Sequence, residues 1–262
     1  MREPATKTGS TRLGTVALLV ALACCGTGDF FAQGGRLRVL ASAGVRAAVD
    51  DLHARLERTT GSPFDVEFST TSAIKQRIEA GEGFDVAILT SDAIDELTEK
   101  GKILADSRAR LGRSGIGVGV RKGAPGPDVS TPEAIRNALL RAKSLTWVQP
   151  GASRVHVDAM LEALGIADKV KSKVLLTQGV EQSIASVAEG KSELVISLIS
   201  EILPAQGVEL VGPIPGRFQY YVELDAGVGV SSQKAAAAAA LVRALASPAA
   251  AQTYRANGLD PF

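Results

Sequence analysis

Beyond about residue 36 the chain alternates two hydrophobic periods. Short runs rich in Val, Ile and Leu read as strands, and between them apolar residues recur at three- and four-residue spacing, as on one face of a helix. Leu37 to Ala41 and Phe64 to Phe68 predict strands, as does Phe84 to Leu89. Between the first two, Val45, Ala48, Val49, Leu52 and Leu56 form a helical stripe with Asp50, Asp51 and Arg55 outside it. Helices are expected over Ile74 to Ala80 and over Ala93 to Lys100, the latter capped by Ser91-Asp92 and stopped by Gly101. Further on, the pattern predicts helices over Thr131 to Ala142, Arg154 to Leu164 and Glu181 to Glu189, with strands at Leu145 to Val148, Val174 to Thr177 and Leu194 to Ser197. Strand and helix in turn make βαβ units and a largely parallel sheet.

Two long apolar stretches interrupt this rhythm. Gly112 to Val120 alternates glycine with apolar residues and runs into the turn-rich Gly123 to Pro127; Gln219 to Val230 follows a second breaker cluster, Gly212 to Gly216. Read as strands crossing between two α/β lobes, they place one lobe over 36–117 and 220–262 and the other over 118–219, with a hinge between. The alanine-rich tract from Ala235 continues into Leu241-Val242 and reads as a helix returning to the first lobe.

Four strand ends share one chemistry. Ser42-Ala43-Gly44, Ser69-Thr70-Thr71-Ser72, Gln149 to Ser153 and Gln178 to Glu181 are each small or hydroxyl-bearing loops that open a helix. Such ends leave unpaired N–H groups and the positive end of a helix dipole, which suits an anion.

The N-terminal stretch departs from the globular pattern. Arg2, Lys7 and Arg12 precede an uncharged apolar run from Leu13 to Cys25, the form of an export leader over residues 1–32, too short for a transmembrane helix. Ala21-Leu22-Ala23 before Cys24 offers one cleavage site, which would allow a lipid anchor, and Phe30-Phe31-Ala32 a poorer one. Both cysteines, Cys24 and Cys25, lie there, so disulfides and cysteine catalysis are not expected in the body. The chain has 29 basic and 28 acidic residues, and the leader takes three and two of them, leaving the body balanced. That balance, with 4% aromatic residues, points away from nucleic acid as a partner.

Reactive groups are few. His53 and His156 are the only histidines, and no spacing suggests a metal. Ser42, Ser72 and Ser153 have no recognisable catalytic motif around them. Gly115-Ile116-Gly117-Val118-Gly119 sits along a strand rather than opening a helix, so a dinucleotide loop is not expected.

Taken in order, Leu37 to Gly44, Ile74 to Gly81, Phe84 to Thr90, Leu161 to Ile166, Val187 to Gly190 and Ser247 to Ala251 resemble the periplasmic substrate-binding proteins of ABC importers, in the molybdate-binding-like branch. The resemblance spans nearly the whole body. It implies the two-lobed type II periplasmic-binding-protein α/β fold and capture of a small anion by hinge closure. It also implies a membrane permease as partner, a monomer in the periplasm, and neither cofactor nor catalysis. An exported enzyme or a sensory binding protein on the same scaffold are the alternatives. The residues it assigns to the ligand are Gly44, Thr70, Thr71, Ala152, Ser153 and Val180. Gly44 stands where the branch has a serine, and Leu198 where it has a tyrosine. Arg46, Arg113 and Arg154 lie near these loops; Arg113 and Arg154 are candidate partners for a carboxylate, which would widen the ligand class from oxyanions to organic acids.

Overall fold

A computed structural model of the chain describes residues 35–262. The expected leader and both cysteines lie outside the described residues.

The first lobe begins with β1 (Leu37–Ser42), α1 (Arg46–Thr60), β2 (Phe64–Ser69), α2 (Thr71–Glu79), β3 (Val86–Thr90) and α3 (Ser91–Glu99). β1 pairs in parallel with β2 and β3. Both faces of β1 and β3 are covered: Leu37, Val39, Val86 and Ile88 point into a core with α1, whereas Leu40, Ala87 and Leu89 point into another with α2 and α3. This double burial explains the unbroken apolar run of β3, whereas the edge strand β2 alternates, with Asp65 and Glu67 exposed.

The long strand β4 (Ala109–Arg121) leads out of this lobe. Up to Gly115 it pairs with β9 (Tyr221–Val228); from Ile116 onward it pairs with β7 (Leu194–Leu198) and β8 (Val208–Pro213). The second lobe comprises α4 (Pro132–Arg141), β5 (Leu145–Val148), α5 (Arg154–Ala163), α6 (Ala167–Lys171), β6 (Val174–Thr177), α7 (Val180–Ala188), β7, α8 (Ile199–Ile202) and β8. Its β5 is parallel to β6 and β7, and its cores include Ile135, Leu139, Trp147 and Ile196 on one side and Val187, Val195, Ile202 and Val208 on the other. β9 then returns to the first lobe, pairing with β3 and β4, and α9 (Ala235–Leu245), α10 (Pro248–Ala256) and β10 (Asp260–Pro261) complete it. Ala238, Leu241, Val242 and Leu245 of α9 are buried in the core with α1, so the alanine tract is a packed helix. The whole is the type II periplasmic-binding-protein architecture.

The glycine alternation lies inside β4. A Cβ on Gly117 would stand 2.8 Å from Leu210 Cδ1 and 2.9 Å from Ile199 Cγ1, so glycine there lets β8 and α8 approach the strand. Four labelled elements had no counterpart in the sequence pattern, among them the two-residue β10. α6 and α8 are single turns too short to show a period, and β8 carries Gly212 and Pro213, which read as breakers but are tolerated because part of the strand lies at a sheet margin. The helix α3 also starts earlier than Ser91-Asp92 capping implied: Thr90 holds the N-cap position, with no side-chain cap bond. Among the described residues no helix is long and apolar enough to cross a membrane.

Candidate functional site

The C-terminal ends of β1, β2, β5, β6 and β7 meet at one cavity between the lobes. Its walls are Ser42, Ala43, Thr70 and Thr71 from the first lobe, and Val148, Gly151, Ala152, Ser153, Val180, Ser197, Leu198 and Glu201 from the second. Three full helices start there. α2 is capped by Thr70, whose Oγ1 accepts from Ala73 N at 3.3 Å; α5 follows Ser153, and α7 follows Gly179, neither with a side-chain cap bond. First-turn N–H groups at α5 and α7 therefore lack a capping side chain. Thr71 Oγ1 is buried without a hydrogen-bond partner. An unpaired hydroxyl in such a place is costly unless a ligand or water completes it.

The cavity itself is about 10 Å³, room for about one water. It continues into an outer groove of about 500 Å³ that shares Thr71, Gly151 and Ala152 and adds Ser72, Lys75, Ser91, His156 and Tyr220. There His156 stacks on Tyr220 with ring centroids 3.2 Å apart; burial lowers the imidazole pKa, and the nearby Asp92 opposes that shift. Two bonds join the lobes beside the cavity. Ser72 Oγ donates to the Pro150 carbonyl at 2.9 Å, and Arg46, seated over the Phe68 ring, pairs with Glu181 at 2.5 Å.

Of the residues assigned from sequence, Thr70, Thr71, Ala152, Ser153 and Val180 line the cavity. Gly44 stands just behind it. A Cβ at that position would lie 3.0 Å from Leu198 Cδ1, so the missing serine and the missing tyrosine are one feature: the leucine occupies the space beside the glycine. Arg113 and Arg154 are elsewhere. Arg113 lies over the Tyr221 ring with Asp260 at 3.8 Å, and Arg154 pairs with Asp158 at 2.6 Å one helical turn on, beside Trp147. Both guanidinium groups are engaged outside the cavity. Among the described residues no group of three or more His, Cys, Asp or Glu side chains is placed to hold a metal.

Sequence reasoning missed Glu201. It sits at the third position of α8 and its Oε2 accepts from Leu198 N at 3.3 Å and from Ser197 Oγ. This is half of a capping box, since Leu198 has no acceptor to return. Burial raises its carboxyl to about 7, against the lowering effect of those two bonds, and the Glu181 carboxylate pushes it further up. A glutamate three residues after Leu198, at the end of an apolar run, was the available signal for α8 and for this side chain.

Comparison with known proteins adds to this geometry. Residues 37–260 match the family profile described as bacterial extracellular solute-binding protein. An aconitate isomerase of a Pseudomonas species is 32% identical over 233 residues, covering 86% of this chain and 87% of the relative. The molybdate-binding protein ModA of Azotobacter vinelandii is 28% identical over 255 residues, covering 93% and 95%. Among solved structures, the periplasmic molybdate-binding protein of the same organism superposes with a TM-score of 0.70 at 17% identity, covering 86% of this chain and 98% of that one, a likeness of fold.

Proposed function

The chain belongs to the bacterial extracellular solute-binding protein family, and from that premise we propose that it captures a small anion between its lobes and hands it to an ABC-type membrane permease. It is a molybdate-binding-like periplasmic binding protein, and the proposal concerns what it carries and how. The observation that carries the reading is the meeting of helix starts from both lobes at one cavity, beside a buried hydroxyl, Thr71 Oγ1, that has no partner. Backbone N–H groups and hydroxyls on Thr70, Thr71 and Ser153 bind the ligand. Because contacts come from both lobes, the ligand favours the closed form of a monomer, and that form is what the permease recognises.

The ligand class is a tetrahedral oxyanion or the carboxylate of a small organic acid. With Arg113 and Arg154 engaged outside the cavity, either is held mainly by neutral donors. The test is a thermal-shift series with molybdate, tungstate, sulfate, phosphate, citrate and the two aconitate isomers. A ligand present at 100 times its Kd stabilises the native state by about 2.7 kcal/mol. A shift with one class names the cargo, and no shift with any of them refutes the reading.

One observation favours a second reading, an isomerase acting on an unsaturated tricarboxylate. Glu201 places a carboxyl that titrates near neutrality inside the ligand cavity, the requirement for a general acid or base, and the relative at 32% identity is named aconitate isomerase. Proton NMR of cis-aconitate and trans-aconitate incubated with the purified protein decides it. Interconversion that is lost in Glu201→Gln supports an enzyme; binding without interconversion leaves a carrier.

A further inference from the structure

Glu201 is at odds with the cavity it lines. The surrounding donors favour negative charge, yet here is a carboxyl with no cation of its own. Both of its hydrogen bonds go to Oε2, and the described residues supply no partner to Oε1. Arg46, at the junction of the lobes, is bound to Glu181. Two ionised groups sharing a confined site repel, and the usual resolution is a proton held between them.

We propose that Glu201 makes anion capture proton-linked: in the occupied cavity it is the neutral acid, its Oε1 hydroxyl donates to the anion, and one proton enters with each anion bound. This rests on the reading above that the cavity takes an anion.

The neighbours of α8 agree with it. The helix packs against the turn Ala43–Val45, β4, β7, β8 and α1. The turn and β7 contain no charged residue. On β4, Arg110 pairs with Glu223, Arg113 lies by Asp260 and Arg121 is exposed; Glu209 of β8 is exposed as well. On α1, Arg46 is taken by Glu181, His53 meets the Phe64 carbonyl, Asp51 accepts from Asn257, and Glu57 pairs with Arg36. Asp50, Arg55 and Arg58 lie on the exposed side. Glu181 is the one charged group that acts on Glu201, and it acts to keep the proton on; burial holds the carboxyl near 7 in the same sense.

The sign follows from linkage. Below about pH 7 Glu201 is already protonated and affinity is flat; above it the empty site is ionised, a proton must be taken up, and affinity falls about tenfold per pH unit.

The experiment is titration calorimetry from about pH 6 to about pH 9, with molybdate and trans-aconitate as probes, in buffers of different ionisation enthalpy. Expected are uptake of about one proton per anion at alkaline pH and a Kd weaker by on the order of 100-fold at the upper end. In Glu201→Gln the amide oxygen replaces Oε2 and the NH2 group remains a neutral donor, so binding becomes independent of pH and is tighter than wild type in alkali. A wild-type Kd that does not move with pH, or a slope that persists in Glu201→Gln, overturns the inference while leaving the anion reading intact. If neither probe binds even at the acid end, it is the anion reading that fails, and this inference with it. Should Glu201→Gln not fold, the wild-type proton count decides.

Discussion

Substituting Gly44 by alanine sets the two lobes against each other. The new methyl carbon would lie 3.0 Å from Leu198 Cδ1, 3.5 Å from Leu224 Cδ1 and 3.7 Å from Ser42 Oγ. Only the first of these contacts crosses the cleft. Gly44 is not in the left-handed region, so alanine adopts the backbone freely and, by restricting the unfolded chain, stabilises folding by about 0.4–1 kcal/mol. Overpacking a fitted contact costs about 1–3 kcal/mol. If closure brings residues 44 and 198 together, that cost falls on the closed form alone. A closing penalty of about 1–2 kcal/mol weakens anion binding roughly 5- to 30-fold. Gly44→Ala should therefore melt at the same temperature as wild type or slightly higher when free of ligand, yet bind the anion more weakly by calorimetry. Combined with Leu198→Ala, the substitution should have no further effect on affinity beyond that of Leu198→Ala alone. A lowered melting temperature with unchanged affinity would refute the reasoning, because it would mean that the two residues stay in contact when the cleft opens.

Thr71→Val removes a hydroxyl that has no partner in the free protein, so stability should change by less than about 1 kcal/mol; the loss of a hydrogen bond to a charged ligand should weaken anion binding roughly 10- to 100-fold by calorimetry. Arg46→Ala breaks an exposed pair between the lobes, and its effect on affinity should stay within about 1 kcal/mol and disappear at high salt in a titration at two ionic strengths. Glu82 is held at about 2, chiefly by its hydrogen bonds to Arg77. A depressed folded-state value stabilises above the unfolded value and is lost as pH falls through the folded one. Acid melting curves from about pH 4.5 to about pH 2 should thus be flatter in Glu82→Gln than in wild type.

The fold was legible where burial is two-sided or strictly periodic. Leu145 to Val148 coincides with the fully buried β5, and α1 extends the stripe read from Val45 to Leu56; Val174 to Thr177 coincides with β6 by its apolar run alone, since Leu175 and Leu176 are exposed. The convergence of four loops was legible too, because hydroxyl residues at strand ends followed by helical periods carry the signal locally. What stayed hidden depends on tertiary context. α8 is a single turn whose residues gain their meaning from β7 behind them and β4 beside them, so too little periodicity was present to single out Glu201. The placement of the arginines stayed hidden for a related reason. Guanidinium groups reach several ångströms from their backbone, and proximity of Arg113 and Arg154 to the right loops in sequence did not foretell that Asp260 and Asp158 would engage them.

If the cavity takes an anion as proposed, much of its hold comes from main-chain N–H groups at the starts of α2, α5 and α7, and no point substitution short of proline deletes a main-chain donor. Mutation can reach only the few side chains set among them, such as Thr71, Leu198 and Glu201, and the glycine behind. On that reading, attraction for anions resides in the backbone of the fold, whereas the choice of anion rests on a handful of exchangeable positions. On the same reading, a few substitutions among those positions change the cargo without first abolishing binding.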